Sequence, residues 1–215
     1  MKKQLISFLF MSLALSGAAS AAGDIEAGKA LSQSATCIAC HGLDGIATIP
    51  NYPSLAGQNE SYLLKQLQDV KSGTRVIIEM AAIVPPLGEQ DLKNLAAYFS
   101  SLPGPSGQAD PELVELGKSL FMGGNVDTGV TACAACHSPT GMGNTAAKYP
   151  RLAGQNPAYI VAQLKKFRDG YRHTGALTAD VRTNDGDTKL MRDIAFRLKD
   201  FEIDALASYI SGLYQ

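Results

Sequence analysis

Two pentads, Cys37-Ile38-Ala39-Cys40-His41 and Cys133-Ala134-Ala135-Cys136-His137, contain all four cysteines of the chain and two of its three histidines. Paired thiols followed at once by an imidazole match the chemistry of a covalently attached c-type haem. The two sulfurs form thioethers to the vinyl groups of one porphyrin, and the adjacent histidine becomes an axial ligand of its iron. Other chemistries explain less. A disulfide or thioredoxin-like pair has no need of the following histidine. A zinc site made from Cys37, Cys40, Cys133 and Cys136 has a suitable ligand count but leaves His41 and His137 without a role. The reading is two haem c groups, one for each pentad.

The sixth iron position decides what such a centre does, since a filled position suits electron transfer and an open one suits reaction with small molecules. One histidine remains, His173, so two bis-histidine centres are impossible within the chain. The methionines beyond the leading segment are Met80, Met122, Met142 and Met191. Met80 lies 18 residues before Tyr98, and Met191 lies 18 residues before Tyr209. Met142 stands only five residues beyond His137, too short a tether to reach the opposite face of the haem, and Met122 has no counterpart in the first half. The expectation is ligation by Met80 and Met191, with His173 an alternative to Met191 and flexible core packing the ordinary role of any methionine. A thioether ligand favours Fe(II) and raises the potential.

These residues are positioned by an internal repeat. Tyr52-Pro53-Ser54-Leu55-Ala56-Gly57-Gln58-Asn59 returns as Tyr149-Pro150-Arg151-Leu152-Ala153-Gly154-Gln155-Asn156. Glu26-Ala27-Gly28-Lys29 is matched by Glu115-Leu116-Gly117-Lys118, and Leu95-Ala96-Ala97-Tyr98 by Leu206-Ala207-Ser208-Tyr209. A Pro- and Gly-rich stretch from Pro103 to Gln108 separates the halves. Asn59 reads as the N-cap of a helix carrying Leu63, Leu64, Leu67 and Val70 and stopped by Gly73. Asn156 caps a second, with Pro157 in its first turn and Gly170 as its stop. Closing helices are expected near 90–102 and 200–213. With few alternating β-branched runs, the fold class is all-α, and each half is too small for a thick core. A bound haem would supply the missing apolar interior, so the haem-free chain should fold poorly.

Residues 1–21 read as a signal peptide. Lys2 and Lys3 precede an apolar run from Leu5 to Leu15, and Ala19-Ser20-Ala21 supplies a cleavage site. The expected divisions are residues 1–21, a first domain at 22–103, a linker at 104–111 and a second domain at 112–215. No later segment is long and apolar enough for a transmembrane span, which leaves peripheral membrane association open. The chain carries 19 Lys plus Arg against 20 Asp plus Glu. Without Lys2 and Lys3 the net charge is −3, all of it in residues 22–103, while residues 104–215 are neutral. Such a bipolar chain has no basic patch suited to nucleic acid, although its asymmetry can orient it toward a charged partner.

Taken together, the twin C-x-x-C-H, the twin P-x-L-A-G-Q and a methionine ahead of L-A-x-Y in each half resemble the cytochrome c4 family of dihaem, tandem class I cytochromes c. The resemblance implies two cytochrome c domains and a periplasmic electron carrier without enzymatic activity. Its donor would be a quinol-oxidising complex or a dehydrogenase, and its acceptor a terminal oxidase or another reductase. It also implies that Pro53 and Pro150 offer carbonyls to His41 and His137, and that Gly28 meets Tyr98 and Gly117 meets Tyr209 where the first and last helices cross. Arg75 and Arg172, each two residues past a helix-ending glycine, are candidate partners of the haem propionates, or simply helix-end surface charges. Two other functions fit a dihaem chain: an electron-transfer subunit of a flavin-dependent sulfide dehydrogenase, and a dihaem peroxidase or thiosulfate dehydrogenase. The chain departs from the pattern at Val126–Val130 and near Thr174–Asp187. The latter insertion stretches the interval from His137 to Met191 to 54 residues, against 39 from His41 to Met80.

Overall fold

In the computed structural model, residues 22–214 are described; the expected signal segment lies outside them. Among these residues there is no strand beyond two isolated bridges, Asn125–Val130 and Asn144–Tyr149. Helices α1 (Ile25–Ser34), α2 (Ile38–His41), α3 (Glu60–Ser72) and α4 (Glu89–Ser101) form the first domain, with a single 3-10 turn at Ile78–Met80. The second domain repeats the order with α5 (Val114–Gly123), α6 (Ala134–His137), α7 (Pro157–Gly170), α8 (Leu190–Phe196) and α9 (Asp200–Ser211). The two tandem domains are therefore all-α and built on one plan.

Each domain is organised by the crossing of its first and last helices. A Cβ built on Gly28 would lie 2.0 Å from the Asn94 carbonyl oxygen and 2.7 Å from the Tyr98 Cβ. One built on Gly117 would lie 2.2 Å from the Ala205 carbonyl oxygen and 2.6 Å from the Tyr209 Cβ. The repeated glycine lets two backbones touch, as the resemblance implied. Behind each crossing sits a small apolar core. In the first domain it gathers Leu63, Leu95, Ala96, Tyr98 and Phe99. In the second it gathers Leu120, Phe121, Ile160, Ile203, Leu206 and Ile210. Helix starts are fixed locally. Asp24 accepts a bond from the Ala27 amide, Asp91 from the Gly88 amide and Glu202 from the Lys199 amide.

Three expectations need correction or refinement. Asn59 and Asn156 stand at the N-caps of α3 and α7 but make no side-chain cap bond. Both side chains reach into the other domain instead. The Asn59 amide nitrogen donates to the Tyr149 carbonyl (2.7 Å), and that of Asn156 to the Tyr52 carbonyl (2.8 Å). Gly170 ends α7 from inside the helix and not as a left-handed cap beyond it. It is the last helical residue and buried, and its missing side chain makes room for the Arg182 carbonyl, 2.4 Å from where a Cβ would sit. Helix α8 has no counterpart in the expected element list. It lies beyond the insertion and packs on α7.

The glutamines of the repeat stitch the domains together. Gln58 accepts from the Arg151 amide (2.7 Å) and donates to the Arg151 carbonyl (2.8 Å). Gln155 does the same to Ser54 at 2.8 and 2.9 Å. All four residues are buried. A side-chain amide thus pairs with a peptide unit as a second strand would, once in each direction across a pseudo-twofold. The segment after Pro103 is packed as well. Gly104 lies against Gly57, Pro105 lies against Gly154, and the Arg151 guanidinium donates to the Pro105 carbonyl.

Candidate cofactor-binding site

The two pentads fold alike. Cys37 and Cys133 precede four-residue helices that end on His41 and His137, so one turn brings both sulfurs and the imidazole to the same side. The four cysteines are free and half-buried. Burial pushes the Cys37 thiol upward and the Cys133 thiol to about 11. That is the opposite of what a thiolate metal site or a reactive C-x-x-C motif needs. Nor does any group of three or more His, Cys, Asp or Glu among the described residues converge to hold a metal ion, which removes the four-cysteine zinc alternative.

Both histidines are buried and oriented by backbone. The His41 Nδ1–H donates to the Pro53 carbonyl at 2.9 Å, and the His137 Nδ1–H to the Pro150 carbonyl at 3.0 Å. A carbonyl can only accept, so these bonds place the proton on Nδ1 and leave the Nε2 lone pair available. Burial lowers both pKa values, outweighing the opposing pull of the carbonyl, and keeps the rings neutral. Neutral imidazoles with a fixed tautomer are what an iron requires of an axial ligand. Proline is suited to this place because its ring fixes φ and so aims the carbonyl.

The pentads open into one cavity of about 1060 Å³ shared by the two domains. Its lining includes all four cysteines, His41, His137, Met80 and Met191. Met80 enters from the 3-10 turn and packs near Val70, Val84 and Leu92. Met191 enters from the first turn of α8. The other candidates lie elsewhere. Met122 is 45% exposed, Met142 is not among the lining residues, and His173 turns its Nε2 to the Ala176 carbonyl at 2.9 Å.

Arg75 lines the cavity at the seam between domains. It donates to Gln66 of its own α3 (2.8 Å) and to Tyr159 (3.0 Å) and Gln163 (3.1 Å) of α7. Arg172 does not occupy the equivalent place. It stacks over the Phe196 ring, 4.6 Å from the centroid, away from the cavity. The counterpart of Arg75 is Arg182, which arrives from the insertion. It donates to Gln163 of its own domain (3.0 Å) and to Tyr62 (2.9 Å) and Gln66 (3.0 Å) of the first. The insertion has shifted the residue along the chain while the pseudo-twofold kept its position in space. One signal for it was present in sequence: Tyr62 and Tyr159 stand three residues past the cap asparagines, and Gln66 and Gln163 seven.

Among the described residues neither guanidinium has a carboxylate partner. Their acceptors are amide and phenol oxygens. Burial opposes the charge of Arg75, but Tyr159, Tyr62 and Asp69 outweigh it and hold its pKa above the ordinary value. Burial likewise pushes the Tyr159 hydroxyl up, and the two guanidiniums more than reverse this. Two cations beside an apolar cavity, with only neutral groups bonded to them, leave room for acidic groups of a bound cofactor.

The comparisons agree with this geometry. The cytochrome c family profile matches residues 25–103 and again 114–213. Cytochrome c4 of Stutzerimonas stutzeri is 48% identical over 223 residues, covering 100% of both chains. The crystal structure of reduced recombinant cytochrome c4 from Pseudomonas stutzeri superposes with a TM-score of 0.82 at 48% identity, covering 90% of this chain and 100% of that one. A thiosulfate dehydrogenase electron acceptor from Thiomonas intermedia is 34% identical, covering 84% of this chain and 79% of its own. The twin pentads, the cavity and these relatives together establish two covalent haem c groups as the cofactors.

Proposed function

Because the chain belongs to the cytochrome c4 family of dihaem electron carriers, we propose that it is a two-centre periplasmic shuttle in which Met80 and Met191 complete the iron coordination begun by His41 and His137. The observation that carries the reading is selective: of the four candidate methionines and the spare histidine, Met80 and Met191 line the shared cavity. When bound, haem c supplies a one-electron Fe(II)/Fe(III) couple. The chain's residues do the rest. Pro53 and Pro150 fix the imidazoles, and Arg75 and Arg182 pair with propionates at the seam. The apolar walls exclude water. With His41, Met80, His137 and Met191 all supplied by the chain, little would rearrange on electron transfer and no position would be left for a reactant.

The cavity's continuity across the seam supports electron exchange between the centres. Export by the leading segment, the domains at 22–103 and 112–215 with a linker at 104–111, a quinol-oxidising complex as donor and a terminal oxidase as acceptor complete the reading. A second placement, as electron acceptor of a thiosulfate-oxidising enzyme, draws support from the 34% identical relative; co-purification of such an enzyme would favour it. The decisive test replaces each methionine with alanine in the haem-loaded protein. Each variant should lose the methionine–sulfur charge-transfer band of one oxidised centre and gain carbon monoxide binding there when reduced. An unchanged spectrum in either variant overturns the assignment of that ligand.

A further inference from the structure

The insertion that lengthens the second domain lies in the seam and ends at the helix carrying Met191. Its backbone is laid on α7, where the Arg182 amide donates to the Lys166 carbonyl at 2.9 Å. Its side chains then cross to α3 of the first domain. The Asn184 amide nitrogen donates to Gln66 (2.9 Å) and Asp69 (2.5 Å), and the Lys65 ammonium donates back to the Asn184 carbonyl at 2.9 Å. The next residue, Asp185, turns the other way. Its Oδ2 accepts from the Arg192 amide at 2.9 Å, and its Oδ1 from the Arg192 Nε at 2.6 Å. The Arg192 guanidinium also donates to the Gly186 carbonyl at 2.9 Å. Asp185 and Arg192 side chains are 6% and 10% exposed, so the pair is shielded from water.

Arg192 is the third residue of α8 and follows Met191 directly. Its amide is one of the donors at a helix start that the helix cannot satisfy itself. Lys189, at the cap position, has a left-handed φ of 51° and gives no side-chain cap bond. The cap of α8 is therefore supplied from five residues upstream of its first residue, by a strap whose other end is anchored on the first domain. Met80 has no equivalent: it sits in a 3-10 turn held by apolar packing within its own domain.

We propose that residues 182–185 form a strap through which α3 of the first domain positions Met191 of the second, with Asp185 the positioning residue. This rests on Met191 being an iron ligand. If the strap holds, loosening it weakens thioether ligation in the second centre and leaves the first untouched. The two domains then do more than share a seam, because one sets the ligand strength of the other.

The test uses the full-length, haem-loaded, oxidised protein and exogenous imidazole, which competes with a thioether for ferric iron. Proton NMR resolves the methyl signal of each ligating methionine, so displacement is followed at both centres in one titration. Asp185→Asn retains the shape and loses the charge facing Arg192. Asn184→Ala removes the side-chain bonds to Gln66 and Asp69 of α3, at a position that is not in the core. Each should lower the imidazole concentration needed to displace Met191 by about tenfold, the scale of one lost buried charged hydrogen bond, with the Met80 titration unmoved. Equal midpoints for variants and parent, or equal shifts at both centres, overturn the strap. Failure of Met191→Ala to remove one methyl signal overturns the ligand assignment instead, so the two failures are distinguishable.

Discussion

Replacing Gln155 with alanine tests whether the two domains are held by the repeated glutamine. Gln155 and Ser54 are both buried, and the amide side chain of one saturates the peptide unit of the other at 2.8 and 2.9 Å. Gln155 Oε1 also accepts from the Asn156 amide at 3.0 Å. Truncation therefore strips partners from three backbone groups: the Ser54 N–H, the Ser54 C=O and the Asn156 N–H. An orphaned buried polar group costs about 1–3 kcal/mol. Water can enter the space vacated by the side chain, so about 1 kcal/mol for each group, or roughly 3 kcal/mol together, is the expected loss. For a chain of this size that corresponds to a fall in Tm of about 6–12 °C. Guanidinium unfolding of the haem-loaded protein, followed by far-ultraviolet circular dichroism, should show a lower midpoint at nearly unchanged slope. Gln108→Ala, at an exposed position in the connecting stretch, is the control and should change nothing. A loss below about 0.5 kcal/mol for Gln155→Ala, the range of ordinary surface substitutions, would refute the view that these bonds join the domains.

Further outcomes follow from the same geometry. Gly28→Ala places a Cβ 2.0 Å from the Asn94 carbonyl oxygen. The crossing helices must separate, and denaturant titration should show a loss of about 2–3 kcal/mol. Removing either seam cation, by Arg75→Gln or Arg182→Gln, should lower the reduction potential, since a nearby positive charge disfavours Fe(III). A unit charge about 10 Å from an iron, at an effective dielectric constant of about 20, would be worth about 1.7 kcal/mol, or some 70 mV for one electron. Spectroelectrochemical titration reads it, and an unchanged or raised potential would contradict the placement.

What a short stretch of chain can impose is legible in the sequence. C-x-x-C-H is confined to one helical turn, and the proline that orients each histidine follows within a dozen or so residues. The glycine of each first helix is paired with a tyrosine at the same place in each last helix. The all-α class followed from helical spacing and cap residues, and its two-domain plan from the repeat. Tertiary structure decided the rest. Asn59 and Asn156 occupy cap positions by sequence but spend their amides across the seam, because a carbonyl of the other domain is within reach there. Arg172 matches Arg75 by counting from a glycine, whereas Arg182 matches it in space, since an insertion changes the count without moving the acceptors that Gln66, Tyr62 and Gln163 provide. Gly170 ends its helix as its spacing suggests, and it is also a gap for a neighbouring backbone, which no local pattern foretells. Sequence determined which groups could bind a haem, because that chemistry needs neighbours only a few residues apart. The fold decided which arginines reach the cavity and how the halves meet, because those contacts join residues about 80 to 120 positions apart, as with Arg75–Tyr159, Gln58–Arg151 and Arg182–Tyr62.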